Sequence, residues 1–284
     1  MTTLSHAVPK STALRDVARG LKSRAEDLDL PGLYALAAGY CRVSGIANGL
    51  PVPPRDLTFL VSGHHNVVRS LRNGRLGGES VVATLARHGL TIDSFPAILD
   101  FGCGSGRVLR CWKGLEGVSI HATDYNPRLV EWSRAAFPFA RVGVNGSAPP
   151  LDYPSDTFSF VYALSVFTHL DLTMQGRWVD ELHRVIAPGG YLLLSLQGAA
   201  SASLALDERE RERYDRGEMV IKRGDLSGAN ECAVYHPPAY VRDFLAPGFT
   251  MIDHVPEGAK GNPPQDYYLF RKPAAPTVPG RAGA

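Results

Sequence analysis

The sequence is poor in cysteine and lacks the spacings that hold a metal ion. Its four cysteines form no CxxC pair, and no Cys/His cluster has the close spacing of a structural zinc site. Scattered cysteines in a chain of 284 residues are typical of free thiols in a reducing compartment. The adjacent His64 and His65 would not share a helix face. We therefore expect no metal and a cytoplasmic location.

Long apolar runs and an excess of one charge are also missing. No apolar run approaches the roughly 20 residues that cross a bilayer, and residues 1–10 lack the apolar core of a signal peptide. The 30 basic and 28 acidic side chains leave a net charge of +2, which does not favour a dedicated nucleic-acid binder. The partner we expect is a small molecule, with neither nucleic acid nor membrane involved.

The first 54 residues differ in pattern from the rest. Ser11–Asp27 has apolar residues at helical spacing, Pro31 is suited to open a second helix through Tyr40, and Leu50–Pro54 is typical of a linker. We interpret residues 1–54 as a helical extension that packs on the main domain or on a second subunit, as in a homodimer. Residues 55–273 form the predicted main domain, and the Pro-, Ala- and Gly-rich residues 274–284 a predicted disordered tail.

Helix-like and strand-like segments alternate through the main domain. Helical spacing is found at Ser80–His88, Arg107–Lys113, Pro127–Ala136, Asp171–Val185 and Tyr240–Leu245. Strand-like runs are found at Ala97–Phe101, Val118–Thr123, Ala140–Val144, Phe158–Phe167, Tyr191–Leu196, Phe249–Val255 and Tyr267–Arg271.

This alternation predicts an α/β fold. Strands that alternate with helices form a doubly wound, mostly parallel sheet, here of seven strands with helices on both faces. The last two strands, separated by the turn-rich Glu257–Gln265, predict an antiparallel hairpin at the sheet edge. The charged run Asp207–Arg216 is interpreted as a solvated helix face rather than a binding surface.

A glycine-rich turn follows the first strand. Glycines at 102, 104 and 106 give the pattern GxGxG, whereas nicotinamide-binding folds place the third glycine one position later. Glycine lets the backbone approach a ligand closely. Asp124 lies just past the second strand, 18 residues after Gly106, where a carboxylate can accept hydrogen bonds from both ribose hydroxyls of an adenosine. Together these residues predict a nucleoside-containing cofactor.

Four segments in order resemble the class I S-adenosylmethionine-dependent methyltransferases. They are ILDFGCGSGR at 98–107, TDYNP at 123–127, PPLDYPSDTF at 149–158 and WVDELHRVIAPGG at 178–190. SVFTHL at 165–170, with Tyr235-His236-Pro237 and Gln265-Asp266 downstream, resembles a bacterial small-molecule subgroup of these enzymes. The resemblance implies a Rossmann-like fold and S-adenosylmethionine as cofactor.

The resemblance also implies roles for individual residues. The cofactor-binding set it implies is Asp100, Gly102, Gly104 and Gly106 for the methionine end, Asp124 for the ribose, Tyr125, Asn145 and Gly146 near the adenine, and Ser165 beside the methionine. Asn145 departs from the aspartate that many members carry, although its amide oxygen can accept the same hydrogen bond. Asp100 could instead cap the following helix, and Tyr125 could be half-exposed turn filler. Cys103 is interpreted as a small buried residue rather than a nucleophile.

The sequence is less specific about the residues that contact the molecule that accepts the methyl group. His169, after the fourth strand, is the candidate general base, which is needed when the acceptor must lose a proton. It could instead pack under the next helix with Asp171 as its partner. Gln197, Tyr235, His236 and, in the N-terminal segment, His64 are candidate substrate residues.

The hypothesis is a small-molecule methyltransferase of secondary metabolism that acts on a hydroxyl of a sugar or a secondary metabolite. Methylation at nitrogen, sulfur, carbon or a carboxylate stays open, as does a catalytically silent cofactor-binding scaffold. The GxGxG spacing disfavours a nicotinamide oxidoreductase.

Overall fold

The computed structural model describes residues 31–229, 231–261 and 265–274. The chain divides into two compact units, Met1–Ser70 and Leu71–Ala284. The helix predicted at Ser11–Asp27 lies outside the described residues, as does nearly all of the predicted tail. The predicted domain limits at residues 54 and 273 stay predictions. No helix in the described part of the chain combines the length and the apolar character needed to cross a membrane.

The first unit is helical where it is described. Helix α1 is Pro31–Val43 and α2 is Arg55–Ser62, while α3, Val67–Ala86, begins in this unit and continues into the second. The helix predicted from Pro31 is confirmed and runs three residues further than expected. The hydroxyl of Tyr34 bonds the carbonyl of Pro53 and the Thr58 hydroxyl, which ties α1 to the segment that enters α2.

The second unit is built on one seven-stranded sheet. Its strands are β1 Ala97–Phe101, β2 Ser119–Asp124, β3 Arg141–Val144, β4 Phe158–Ala163, β5 Ile186–Leu196, β8 Thr250–Val255 and β9 Asp266–Arg271. They lie in the order β3-β2-β1-β4-β5-β9-β8. The first five are parallel, and β9 runs antiparallel to both neighbours. The predicted α/β fold and its antiparallel edge hairpin are confirmed.

Helices and one small second sheet complete the unit. The helices are α4 Pro127–Ala136, α5 Leu172–Val185, α6 Ala199–Ala205, α7 Glu208–Asp215 and the short α8 Pro238–Tyr240, which continues into a π-helical turn at Val241–Leu245. Strands β6 Val220–Lys222 and β7 Ala233–Tyr235 pair antiparallel to each other. Helix α7 begins with a capping box at Asp207 and buries only Tyr214, so the charged run is a solvated helix face, as expected.

The core lies on the central strands. Every residue of β4 except Ser159 is buried, because both faces of a central parallel strand are covered. On one face α5 contributes Trp178, whose ring lies 4.7 Å from that of Phe101, and Leu182. This packing fixes the carboxyl ends of β1 and β4, which is where ligands bind in open α/β sheets.

Two predicted strand limits were wrong. Strand β4 ends at Ala163 rather than at Phe167, because Ser165 has a left-handed backbone with φ of 59° and residues 167–169 form a 3₁₀ turn. Strand β5 begins at Ile186 rather than at Tyr191. Its Pro-Gly-Gly segment lies inside the strand, opposite a register shift between Phe158 and Phe160.

Two further elements differ from the prediction. The helix predicted at Arg107–Lys113 is only a 3₁₀ turn at Leu109–Trp112. Gly106 and Gly114 have φ of 72° and 92°, so they end any right-handed helix on both sides and leave too little chain between them. Strands β6 and β7 were not predicted, because three-residue strands carry too few residues to show a period.

Candidate functional site

The glycine turn after β1 is fixed by hydrogen bonds to the end of β2. The backbone N–H groups of Gly102 and Cys103 both donate to the carbonyl of Thr123, at 2.8 and 2.9 Å. Gly102, Gly104 and Gly106 have φ of 79°, 57° and 72°, values that side chains rarely adopt. The turn therefore needs glycine at all three positions for its backbone conformation alone.

At two of these glycines, neighbouring side chains also leave no room for a Cβ atom. A Cβ atom at Gly102 would collide with the side chain of Val166, and one at Gly106 would collide with the ring of Phe137. The sequence argument assigned these glycines to close approach of a ligand. The structure shows a second cause, which is that the segment after β4 and the end of α4 pack directly against the turn.

Asp124 connects the glycine turn to the start of α4. Its carboxylate accepts hydrogen bonds from the backbone N–H of Gly104 and of Asn126, each at 2.9 Å. The residue is 6% exposed, and burial raises its pKa while the two backbone donors lower it. A carboxylate has about four lone-pair sites. Asp124 can therefore hold the turn and still accept hydroxyl donors from a ligand.

Asp100 is a buried acid with an unused oxygen. It is 4% exposed, and its Oδ2 has no hydrogen-bond partner among the described residues. Burial, opposed by a hydrogen bond from Tyr162 and reinforced by the nearby Asp124, raises its pKa from 3.8 to about 7. The hydroxyl of Tyr162 is itself fixed by a bond from Trp112 Nε1, at 2.7 Å. Asp100 caps no helix, since the 3₁₀ turn that follows has no side-chain cap.

Asn145 follows β3 at the same edge of the sheet. Its backbone N–H donates to the carbonyl of Asp124 at 3.1 Å, and its Nδ2 donates to the carbonyl of Gly146 at 2.7 Å. This leaves Oδ1 buried without a partner among the described residues. Tyr125, which follows β2, is 54% exposed. An amide oxygen after β3 and an accessible aromatic ring after β2 are thus available at this edge of the sheet.

Asn145, Asp124 and Asp100 form a row of hydrogen-bond acceptors, here called the acceptor row, that fits S-adenosylmethionine. Asn145, Asp124 and Asp100 lie at or beside the carboxyl ends of β3, β2 and β1, which are adjacent strands about 4.8 Å apart. The cofactor carries its donors in the same order, as an adenine amino group, two ribose hydroxyls and a methionine ammonium group. The unpartnered oxygens of Asn145 and Asp100 are what such donors require, because a buried acceptor without a donor is costly.

His169 lies in the 3₁₀ turn after β4. Its Nδ1 is 2.7 Å from the carbonyl oxygen of Cys232, and since a carbonyl only accepts, Nδ1 carries the proton. Burial lowers the pKa of His169, although the Cys232 carbonyl and the Glu231 carboxylate oppose the shift. Asp171 is not its partner, because that carboxylate caps α5 at the backbone N–H of Met174. The neutral ring therefore keeps a lone pair on Nε2.

Strand β7 brings together three of the candidate substrate residues, which are Gln197, Tyr235 and His236. Gln197 forms a bridge with Tyr235, and its carbonyl accepts from the backbone N–H of His236 at 2.8 Å. His236 is 0% exposed, and burial lowers its pKa to about 3. Its Nε2 bonds Oε1 of Gln175, whose amide donates to the carbonyls before α5. His236 thus lies beneath the surface, and a direct contact with substrate stays a prediction.

His64 belongs to the first unit. There its Nδ1 accepts from the backbone N–H of Asn66 at 3.2 Å, after α2 ends at the left-handed Gly63. Its predicted contact with substrate stays a prediction. In the described ranges no group of three or more His, Cys, Asp or Glu side chains is arranged to hold a metal ion.

Comparison with known proteins agrees with this geometry. Residues 99–194, which run from β1 to β5, match the family model described as a methyltransferase domain. These residues are similar to a methyltransferase domain, and the seven-stranded, mostly parallel sheet that they help to build is the Rossmann-like fold of such domains.

Relatives of known name share part of the chain. The sterol 24-C-methyltransferase of Eremothecium gossypii is 32% identical over 126 residues, a match that covers 40% of this chain and 33% of that enzyme. The chain therefore spans about a third of the length of this relative.

Solved structures share the fold at low identity. An S-adenosylmethionine-dependent methyltransferase from Mesorhizobium loti is 17% identical with a TM-score of 0.52, over 69% of this chain and 100% of that one. A glycopeptide N-methyltransferase complexed with S-adenosylmethionine is 18% identical with a TM-score of 0.50, over 69% and 94% of the two chains.

The structure also describes residues around this site for which the sequence predicted another role or none. Burial, reinforced by Asp100 and Asp124, raises the pKa of the Cys103 thiol well above its usual value, so it is no thiolate nucleophile. Tyr162 was seen only as a strand residue, although its hydroxyl reaches Asp100. Gln265 and Ser195 were not singled out for a role at the site, yet both accept a hydrogen bond from Ser165, and Ser195 donates to Gln265. Their positions in a strand or before one gave no signal.

Proposed function

We propose that the chain transfers the methyl group of S-adenosylmethionine to a hydroxyl group of a small organic molecule, a sugar or a secondary metabolite. The observation that carries the choice of a hydroxyl is the imidazole of His169, which is held with a free lone pair on Nε2 at the carboxyl edge of β4. A hydroxyl must lose its proton as it is methylated, whereas a free amine, a thioether or a carboxylate needs no base.

His169 meets the requirements of a general base. The Cys232 carbonyl fixes the tautomer, and the lowered pKa keeps the ring neutral at pH 7. When bound, the cofactor supplies a methyl group on a positively charged sulfur, an electrophile with a good leaving group. His169 takes the acceptor's proton at Nε2 as the new carbon–oxygen bond forms and the carbon–sulfur bond breaks. The imidazolium then returns its proton to solvent.

Orientation and exclusion of water supply the rest of the acceleration. Asp124 and Asp100 hold the ribose and the methionine end of the cofactor, so the methyl group is presented in a fixed position. Ser227 and Gly228 lie against the turn of His169 through two hydrogen bonds. Gly228 N–H donates to the carbonyl of His169 at 2.6 Å, and Asp171 N–H donates to Ser227 Oγ at 2.9 Å. These two residues support one side of the acceptor position.

A histidine pair tests the proposal. We expect His169→Asn to lower kcat about 100-fold or more, within the range for loss of a general base, and to change the Kd for S-adenosylmethionine less than twofold. His183→Asn is the matched control, because burial also lowers the pKa of His183 but its ring packs on Phe249 beneath the hairpin. Turnover is measured as release of S-adenosylhomocysteine with a panel of sugars and phenols.

Three other outcomes would each remove part of the proposal. Equal turnover in His169→Asn and the original chain would exclude His169 as the base. Cofactor binding without turnover on hydroxyl, amine or carboxylate acceptors would favour a silent scaffold. A melting temperature that saturating S-adenosylmethionine leaves unchanged would exclude the cofactor itself, because a ligand that binds only the folded state must stabilise it.

The proposal also includes the setting of the enzyme. None of the four cysteines, all of which lie in the described ranges, forms a disulfide, which suits a reducing compartment such as the cytoplasm. We propose that it acts on its small substrate without nucleic acid or membrane, as a homodimer that uses the N-terminal helices.

A further inference from the structure

The turn after β4 contains a residue in an unfavourable backbone conformation. Ser165 has φ of 59°, in the left-handed region that glycine adopts easily and serine does not. Such a conformation persists only when the surroundings hold it. Since the next residue, Val166, packs against Gly102, this turn also bears on the glycine turn after β1.

Three side-chain hydrogen bonds hold Ser165 in place. Its backbone N–H donates to Ser195 Oγ at 2.7 Å, and its own hydroxyl donates to Gln265 Oε1 at 3.0 Å. The hydroxyl of Ser195 donates to the same Gln265 oxygen at 2.7 Å. One amide oxygen therefore accepts from both serines, and every bond that fixes Ser165 depends on it directly or through Ser195.

Gln265 is well placed for this role because it cannot move freely. It is 3% exposed, and it immediately precedes β9, whose first residue pairs with the last residue of β5. Its carbonyl accepts from the backbone N–H of Ala259 at 3.1 Å. The connection thus runs from the edge hairpin, through Gln265 and Ser165, to Val166 and the turn at Gly102.

We propose that Gln265 is a positioning residue that sets the affinity of the site for the methionine half of the cofactor. It does so by holding Ser165 in the left-handed conformation, which in turn keeps Val166 against the glycine turn. The proposal rests on the proposed function only in the identity of the cofactor, and it does not depend on the acceptor or on catalysis.

The test compares two ligands that differ in the methionine half. S-adenosylhomocysteine carries that half and adenosine lacks it, and both are titrated by calorimetry against the full chain. We expect Gln265→Leu to weaken S-adenosylhomocysteine about tenfold and adenosine less than twofold. Ser195→Ala is expected to reproduce part of this loss. Ser159→Ala is the matched control, since Ser159 bonds Ala97 at the far end of β1 and β4 and should change neither affinity.

A second background tests the cause. Glycine tolerates a positive φ without support. Gln265→Leu should therefore weaken the affinity for S-adenosylhomocysteine less than threefold when it is made in the Ser165→Gly background. Double-mutant coupling of this kind is what a shared backbone constraint predicts. A tenfold loss in both backgrounds, or equal losses for adenosine and S-adenosylhomocysteine, would overturn the proposal.

Two further results distinguish a failure of the proposed function or of folding from a failure of the role of Gln265. If the original chain binds neither ligand, the proposed function is overturned, and the proposal for Gln265 falls with it. If Gln265→Leu does not fold, Ser195→Ala carries the comparison, because it removes only one hydroxyl from the same network. Unchanged affinity in Ser195→Ala would then count against the proposal.

Discussion

At the scale of single residues, Asp100 links stability to cofactor binding. In the free protein its carboxyl is buried with one unpartnered oxygen and a pKa of about 7, far above the 3.8 of an exposed aspartate. The folded state therefore keeps a proton that the unfolded chain releases between these values. Because the folded state binds more protons, the free energy of unfolding falls as pH rises through this range. A donor from the cofactor would relieve the cost.

We predict that Asp100→Asn raises the thermal stability of the protein and lowers its affinity for the cofactor. The variant should melt at a higher temperature than the original chain at pH 8 and at nearly the same temperature at pH 4. Its affinity for S-adenosylmethionine should fall at least tenfold and should lack the rise from pH 6 to 8 that we expect for the original chain. Calorimetric titration and thermal melts across pH measure both, with the exposed Asp93→Asn as control. An equal rise with pH in both chains would refute the assignment.

How far the site could be predicted from residues depends on where each residue lies in its strand. Asp124 and Asn145 were found because each lies at or just after the end of a strand in the first half of the sheet, and carboxyl ends of parallel strands meet at one edge. Gln265 bonds Ser165 across 100 positions of sequence. No local pattern shows such a contact, since it depends on the antiparallel insertion of β9 beside β5.

At the scale of elements, two of the resembling segments prove to contact each other. Glu181 on α5 accepts from the backbone N–H of Leu151 at 2.6 Å, and Arg184 donates to Glu181 and to the carbonyl of Tyr153. Glu181 and Arg184 belong to the segment 178–190, while Leu151 and Tyr153 belong to 149–158. The order of the segments was readable from sequence, but this contact, which holds the chain entering β4, was not.

Breaking this contact should cost far more than breaking an exposed ion pair. Glu181→Ala leaves the Leu151 N–H and the Arg184 guanidinium without their buried acceptor, so we expect a loss of about 3 kcal/mol in the free energy of unfolding. Asp215→Ala removes the exposed pair of Arg211 on α7 and should cost less than about 1 kcal/mol. Urea denaturation measures both. A loss in Glu181→Ala as small as that in the control would contradict this account of the contact.

At the scale of the whole molecule, helix α1 presents an apolar stripe that the described residues leave exposed. Leu33, Leu36, Tyr40 and Val43 follow the 3-4-3 spacing of a helix–helix seam, and Leu36 is 74% exposed. Gly39 lies on this helix with no described atom within 4 Å of where a Cβ would be, which permits close approach of a second helix. The helix carries a single charge, at Arg42. A self-complementary stripe of this kind suits a second copy of the chain.

We therefore predict that the chain is a dimer in solution and that α1 forms the contact. Leu36→Glu places a charge at the centre of the stripe, where it would be buried without a partner, so it should convert the dimer to a monomer. Leu204→Glu is the matched control, because Leu204 is similarly exposed but lies on α6 in the second unit. Sedimentation velocity at several concentrations measures the mass. A monomeric original chain, or a dimer that survives Leu36→Glu, would contradict the prediction. A monomeric Leu36→Glu variant with unchanged affinity for S-adenosylmethionine would show that dimer formation is independent of cofactor binding at the acceptor row.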